Sequence, residues 1–170
     1  MLFPEEMPNT FLYFAYGSNM LTQRLCERVS SAHPIVAASL SGYRLSFHKP
    51  SIDGSGKCTV ERSDDPDDVV WGVLFEIDKY QEKILDGFEG EGYSESFIEV
   101  SGFTEVKTYA ASRIDTALVP YHWYKDLVVA GAVEHKLPNE YISKICALIS
   151  KDDPDSRRES KAREILKSIG

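Results

Sequence analysis

A glycine, a serine and an asparagine interrupt an otherwise apolar run in YFAYGSNM, residues 13–20, and a lone glutamate stands between an aromatic residue and glycines in LDGFEGEGY, residues 85–93. Each stretch has a chemical reading. Gly17 lets the backbone approach a ligand or take a positive φ, and the first N–H groups of a helix starting at Asn19 lack intrahelical acceptors, so a carboxylate is favoured against that turn. Glu89, beside Phe88, is a carboxyl that shielding from water would push up in pKa, toward a group that takes and returns a proton. Each stretch also has an ordinary reading: YGSN as a tight turn with an Asn cap, and the Gly- and acid-rich segment as a solvated loop. Asp86, Glu91 and Glu95 compete with Glu89 for the same role.

Other chemistries find less support. There is no GxGxxG or Walker pattern, and the acidic spacing does not match an EF-hand. Ser18 lacks the flanking glycines of a nucleophile elbow, and Cys26 falls among apolar helical positions. His33, His48, His122 and His135 show no metal-ligand spacing, so no metal and no cofactor are expected. Cys26, Cys58 and Cys146 are odd in number and widely spaced, which suits reduced thiols. The aromatic run YHWY, residues 121–124, and Tyr109 suit either core packing or a pocket wall.

The elements that must position these groups follow from hydropathy patterning. Thr10–Tyr16 reads as a buried strand, followed by a helix capped by Asn19 and running to about Ser30. Residues 34–48 read as two strand segments bent at Gly42, and 58–61 with 69–77 as a hairpin with the acidic tip SDDPDD. Asp78 is placed to cap a helix whose face carries Tyr80, Ile84, Leu85 and Phe88 and which ends at the glycines after Phe88. Strands at 95–101 and 105–112 and helices at 121–134 and 138–149 follow. Strands first and helices last favour an α+β class over βαβ repetition.

With 170 residues, 42% of them apolar, the chain is long enough for one substantial core, read as a single domain over 1–150 with a charged helix or tail at 151–170. A net charge of −8 without a basic cluster argues against a nucleic-acid partner. MLFPEEMPNT is unlike a secretory signal and no apolar run reaches membrane-spanning length, so a cytoplasmic protein without membrane attachment is expected.

Taken in order, FLYFAYGSNM, VVWGVLFEI, LDGFEGEGY and KLPNEYISKI resemble the gamma-glutamylcyclotransferase family, including its AIG2-like relatives, and SFHKPSIDGSGKC resembles the bacterial branch. The resemblance implies a mixed β-barrel with flanking helices and a pocket at one mouth. It implies substrate contact by Tyr13, Phe14, Ala15, Tyr16, Gly17, Ser18 and Asn19, with Tyr109 and Tyr124 as further lining, and Glu89 as general acid/base. Ser94–Ser96 stand where such relatives often carry Arg, and residues after Lys151 align with no family element.

The implied reaction is cyclisation of a γ-glutamyl amide to 5-oxoproline with release of an amine or amino acid. The α-amino group closes a five-membered ring on the γ-carbonyl, so holding the chain folded supplies proximity and no covalent nucleophile is needed. The ammonium must lose a proton and the departing nitrogen must gain one, which one carboxylate can do. The backbone amides of Gly17–Asn19 would hold either the α-carboxylate or the oxyanion. Two alternatives stay open: a cyclotransferase specialised for γ-glutamylamines or other γ-glutamyl metabolites, and a non-catalytic binder on the same fold. The sequence leaves monomer and homodimer equally open.

Overall fold

The computed structural model describes residues 9–169; most of the amino-terminal stretch read as unlike a signal lies outside the described residues. Among the described residues seven strands form, β1 (Thr10–Ala15), β2 (His33–Ser41), β3 (Tyr43–Pro50), β4 (Gly56–Arg62), β5 (Val69–Asp78), β6 (Tyr93–Val100) and β7 (Phe103–Ala111). Five α-helices among the same residues accompany them, α1 (Thr22–Arg28), α2 (Glu82–Glu89), α3 (His122–Glu134), α4 (Asn139–Ala147) and α5 (Ser156–Ser168). The fold is α+β.

Five strands make a mixed sheet in the order β2-β5-β1-β7-β6, with β1 and β7 parallel and the other pairs antiparallel; β3 and β4 form a separate ribbon. The expected barrel is therefore left open. The sheet's ends do curl toward each other, and Ser39 N donates to Ser101 Oγ at 3.0 Å between β2 and the β6–β7 turn, but no ladder joins β2 to β6. Strand 69–77 is confirmed as an interior strand between β2 and β1, where Val70, Val73, Leu74, Phe75 and Ile77 are buried. Its expected hairpin with 58–61 is not formed, because β4 turns back on β3 and β5 pairs with β1 and β2. The bend at Gly42 is present, with φ at +79° between β2 and β3.

Two helix starts differ from expectation. A 3-10 turn at Ser18–Met20 and an extended Leu21 precede α1, and the Asn19 side chain caps nothing. Asp78 likewise makes no capping bond; a 3-10 turn at Lys79–Gln81 leads into α2. Of the four apolar residues expected to face inward there, only Leu85 is buried, while Tyr80 is 70% and Phe88 50% exposed. Short α2 is held instead by polar contacts. Lys107 of β7, itself buried, lies 2.9 Å from Glu82, 2.8 Å from Asp86 and 2.8 Å from Glu95.

Helix α3 backs the strand-to-helix corner. At Gly131 a Cβ would stand 2.7 Å from Met20 Cβ and from Leu21 N, so only glycine permits this approach. The charged carboxy-terminal segment is a docked helix. Asp155 caps it through Arg157 N at 3.0 Å, Ala162 is buried, and Arg163 reaches Asp126 of α3 at 2.6 Å. Among the described residues no helix is long and apolar enough to cross a membrane.

Candidate active site

Three elements converge on one cavity of about 200 Å³: the corner after β1, the end of α2, and the β3–β4 ribbon. Tyr13 lies on β1 and projects into it, and the chain leaves the strand at Tyr16 to place Gly17, Ser18 and Asn19 along the wall. Gly17 has φ −110° and needs no left-handed conformation. Its role is spatial, since a Cβ there would meet Cys58 Cβ at 3.0 Å and Tyr124 Oη at 3.5 Å.

Glu89 is the last residue of α2, and its Oε1 accepts from the Tyr13 hydroxyl at 3.1 Å and from Asn19 Nδ2 at 3.1 Å. Asn19 Nδ2 also lies 3.2 Å from Tyr13 Oη, and its Oδ1 accepts from Arg28 at 3.2 Å. The asparagine that the sequence suggested as a helix cap thus ties the corner to the carboxyl. Burial pushes the Glu89 carboxyl above its ordinary value, against the lowering pull of the Tyr13 hydrogen bond, the charges of Arg28 and Lys49, and Asn19. Burial and the Glu89 charge together push the Tyr13 hydroxyl well up, so it stays a donor.

The tyrosines frame the cavity. Tyr16 donates to the Tyr109 carbonyl, the Tyr109 hydroxyl donates to Asp86, and Tyr124 Oη accepts from Cys58 N at 3.1 Å. Asp86 is thereby engaged with Tyr109 and Lys107, which separates it from Glu89, its sequence competitor. Phe14 and Ala15 are buried away from the lining; a Cβ at Gly72 would lie 2.7 Å from the Phe14 ring. Phe14, next to Tyr13 on the strand, points to the opposite face, while Ala15 shares the face of Tyr13 without reaching the lining.

Sequence reasoning missed the cations. Arg24, Arg28, Lys49 and Lys57 all line the cavity, with Glu89 the one carboxylate among them. Arg24 Nε donates to Ser18 Oγ at 3.0 Å, and burial, with Arg28 adding to it, lowers its pKa to about 10, still a cation at neutral pH. Lys57 pairs with Asp53 at 2.9 Å and lies over the rings of Trp123 and Tyr124 at 4.6 and 4.4 Å. The spacing of Arg24 and Arg28, one helical turn apart, was the available signal. Lys49 and Lys57 flank the SIDGSG loop symmetrically and face each other in the ribbon register. Cys58 also lines the cavity, but burial pushes its thiol up to about 12, which removes it as a nucleophile.

A family profile described as AIG2-like family matches residues 69–145. The gamma-glutamylcyclotransferase of Homo sapiens is 33% identical over 178 residues, covering 96% of this chain and 90% of that protein. That alignment necessarily takes in most of residues 151–170, which correct the expectation of an unmatched extension. The chain belongs to the gamma-glutamylcyclotransferase family. The Bos taurus gamma-glutamylcyclotransferase is 32% identical over 93% of this chain and 88% of its own length. A solved gamma-glutamyl cyclotransferase structure superposes with a TM-score of 0.78 at 30% identity, covering 91% of this chain and 99% of that one. As a member of the gamma-glutamylcyclotransferase family the chain is an enzyme, and its cavity brings together a shielded carboxyl, a polar corner and cationic walls.

Proposed function

We propose that the protein cyclises a γ-glutamyl amide to 5-oxoproline, with Glu89 as general acid/base and Tyr13, Tyr16, Gly17, Ser18, Asn19, Tyr109 and Tyr124 shaping the glutamyl site. The observation that carries this reading is the pair of bonds from Tyr13 and Asn19 to the same Glu89 oxygen, which joins the corner to the carboxyl and leaves Oε2 for proton exchange.

Glu89 Oε2 takes a proton from the substrate's α-ammonium, the freed lone pair attacks the γ-carbonyl carbon, and the ring C–N bond forms. The tetrahedral centre then collapses: the bond to the departing nitrogen breaks as Glu89 returns the proton to that nitrogen, and the ring nitrogen's second proton passes to the released amine, which leaves as an ammonium beside the neutral lactam. A raised pKa makes the carboxylate a stronger proton acceptor than an ordinary glutamate. Arg24 and Arg28, bonded to Ser18 and Asn19, supply positive charge at the corner for the substrate's α-carboxylate. That favours the Gly17–Asn19 amides for the oxyanion.

The test is a panel of γ-glutamyl dipeptides, γ-glutamyl amines and glutathione, assayed for 5-oxoproline, with wild type and Glu89→Gln. Turnover by wild type and a loss of about 10²–10⁴ in kcat for the variant are expected. A variant with near wild-type turnover refutes the role of Glu89, and no turnover across the panel favours a binder.

A further inference from the structure

The four cavity cations are not equivalent. Arg24 and Arg28 project from α1 and are bonded to Ser18 and Asn19. Lys57 is held by Asp53 and by two aromatic rings. Lys49 has, among the described residues, no carboxylate within 4 Å. It rests instead on the loop that follows Glu89, with Nζ 4.5 Å from the centre of the Tyr93 ring. A Cβ at Gly92 would lie 3.1 Å from Lys49 Cε and 3.4 Å from Nζ, and φ at that residue is +92°, so a side chain there would displace the ammonium.

Charge counting gives this cation a task. With Lys57 matched by Asp53, the lining holds three cations against the one carboxylate of Glu89. A γ-glutamyl amide whose amine has passed its proton to Glu89 carries one negative charge from its α-carboxylate, and with Glu89 then neutral two positive charges are left over. A second carboxylate on the departing amine would offset one of them. Glu89 and Lys49 line the same cavity as the corner, so with the glutamyl part against the corner a departing part that extended past Glu89 would have Lys49 within the same enclosure.

Resting on the cyclotransfer reading above, we infer that Lys49 is a specificity-determining residue that binds the carboxylate of the departing amino acid. The enzyme thereby prefers γ-glutamyl amino acids to γ-glutamyl amines. Gly92 and Tyr93 seat its ammonium for that contact.

The experiment compares γ-glutamyl-alanine with γ-glutamyl-alaninamide, which differ only in that carboxylate, as substrates of the wild type, Lys49→Gln and Lys49→Arg. The glutamine keeps the stem on Tyr93 and removes the charge; the arginine keeps the charge. Wild type is expected to prefer the free acid in kcat/KM by roughly 10–100-fold, the scale of a hydrogen bond to a charged group. Lys49→Gln should lose most of that preference by falling much further on the free acid than on the amide, on which the only change expected is the one caused by losing a charge near Glu89, and Lys49→Arg should restore it. A preference that Lys49→Gln leaves intact, no wild-type preference at all, or an equal fall on both substrates with the melting temperature unchanged overturns the assignment while the cyclotransfer reading stands. Absence of 5-oxoproline from both substrates with wild type overturns that reading and this one together.

Discussion

Tyr13 and Glu89 stand 76 positions apart in the chain and 3.1 Å apart in the fold, joined by a hydrogen bond on which Asn19 also converges. The carboxyl in that contact is raised by burial. A carboxyl raised in the folded state contributes its full stability below the unfolded pKa, about 4.3, and loses it as pH rises through the folded value. Ionised Glu89 therefore costs the fold stability at neutral pH. Glu89→Gln should melt at a higher temperature than wild type at pH 8, with the gap closing toward pH 4, as thermal denaturation at both pH values would show. A variant that melts lower than wild type at pH 8 contradicts the sign.

Arg28 lowers the Glu89 pKa by its charge and also lies 5.3 Å from the centre of the Phe88 ring. Removing the charge in Arg28→Gln lets burial act with less opposition, so the Glu89 pKa rises further. The acidic limb of the kcat/KM profile should then move to higher pH. An unmoved limb, with activity lost uniformly, would mean that Arg28 acts only through Asn19.

Lys107 fixes α2 and, through it, Glu89. Lys107→Met leaves Glu82, Asp86 and Glu95 facing one another without a counter-charge. Removing one partner of a buried ion pair costs about 3–5 kcal/mol, and here roughly 2–3 because the three carboxylates are 39–54% exposed. Urea denaturation should read that loss. In kinetics, kcat should fall more than KM rises, since the carboxyl and not the corner is displaced.

Asp153 anchors the carboxy-terminal helix. Its side chain is fully enclosed, accepts from Trp123 Nε1 at 2.8 Å, and pairs with Arg158 at 2.6 Å, which holds its carboxyl far below the usual range. A depressed carboxyl contributes stability above the unfolded pKa, about 3.9, that is lost as pH falls below it. Asp153→Ala should cost about 2 kcal/mol at pH 7, or roughly 4–8 °C in melting temperature. Most activity should survive, because α5 touches α3 and not the cavity lining.

Much of this site was legible because its chemistry rests on rare residue types in local context. YGSN after an apolar run and a glutamate among glycines both announced themselves, and they do meet. Cations did not, since the spacing of Arg24 and Arg28 does not by itself tell a solvated helix side from a pocket wall. Lys49 and Lys57 enter the wall only through pairing of β3 with β4, which the expected hairpin of 58–61 with 69–77 had precluded. Asn19 shows the opposite error. The residue type was right and the role was local by default, yet its amide serves a carboxyl 70 residues away. Barrel closure failed for a similar reason, because edge pairing of β2 with β6 depends on curvature that no local pattern encodes.

The contact at Gly131 fixes one side of the enclosure. With α3 seated directly on Met20 and Leu21, the floor beneath the corner has nowhere to recede. The opposite wall is the two-stranded ribbon, which shares no ladder with the five-stranded sheet and is held by bonds such as Gly56 N to Val119 O at 3.0 Å and Ala111 N to Thr59 Oγ1 at 2.9 Å. Under the proposed mechanism, exchange of the stretch 49–57 would alter which leaving group is admitted and leave the contact of Glu89 with Tyr13 and Asn19 as it is.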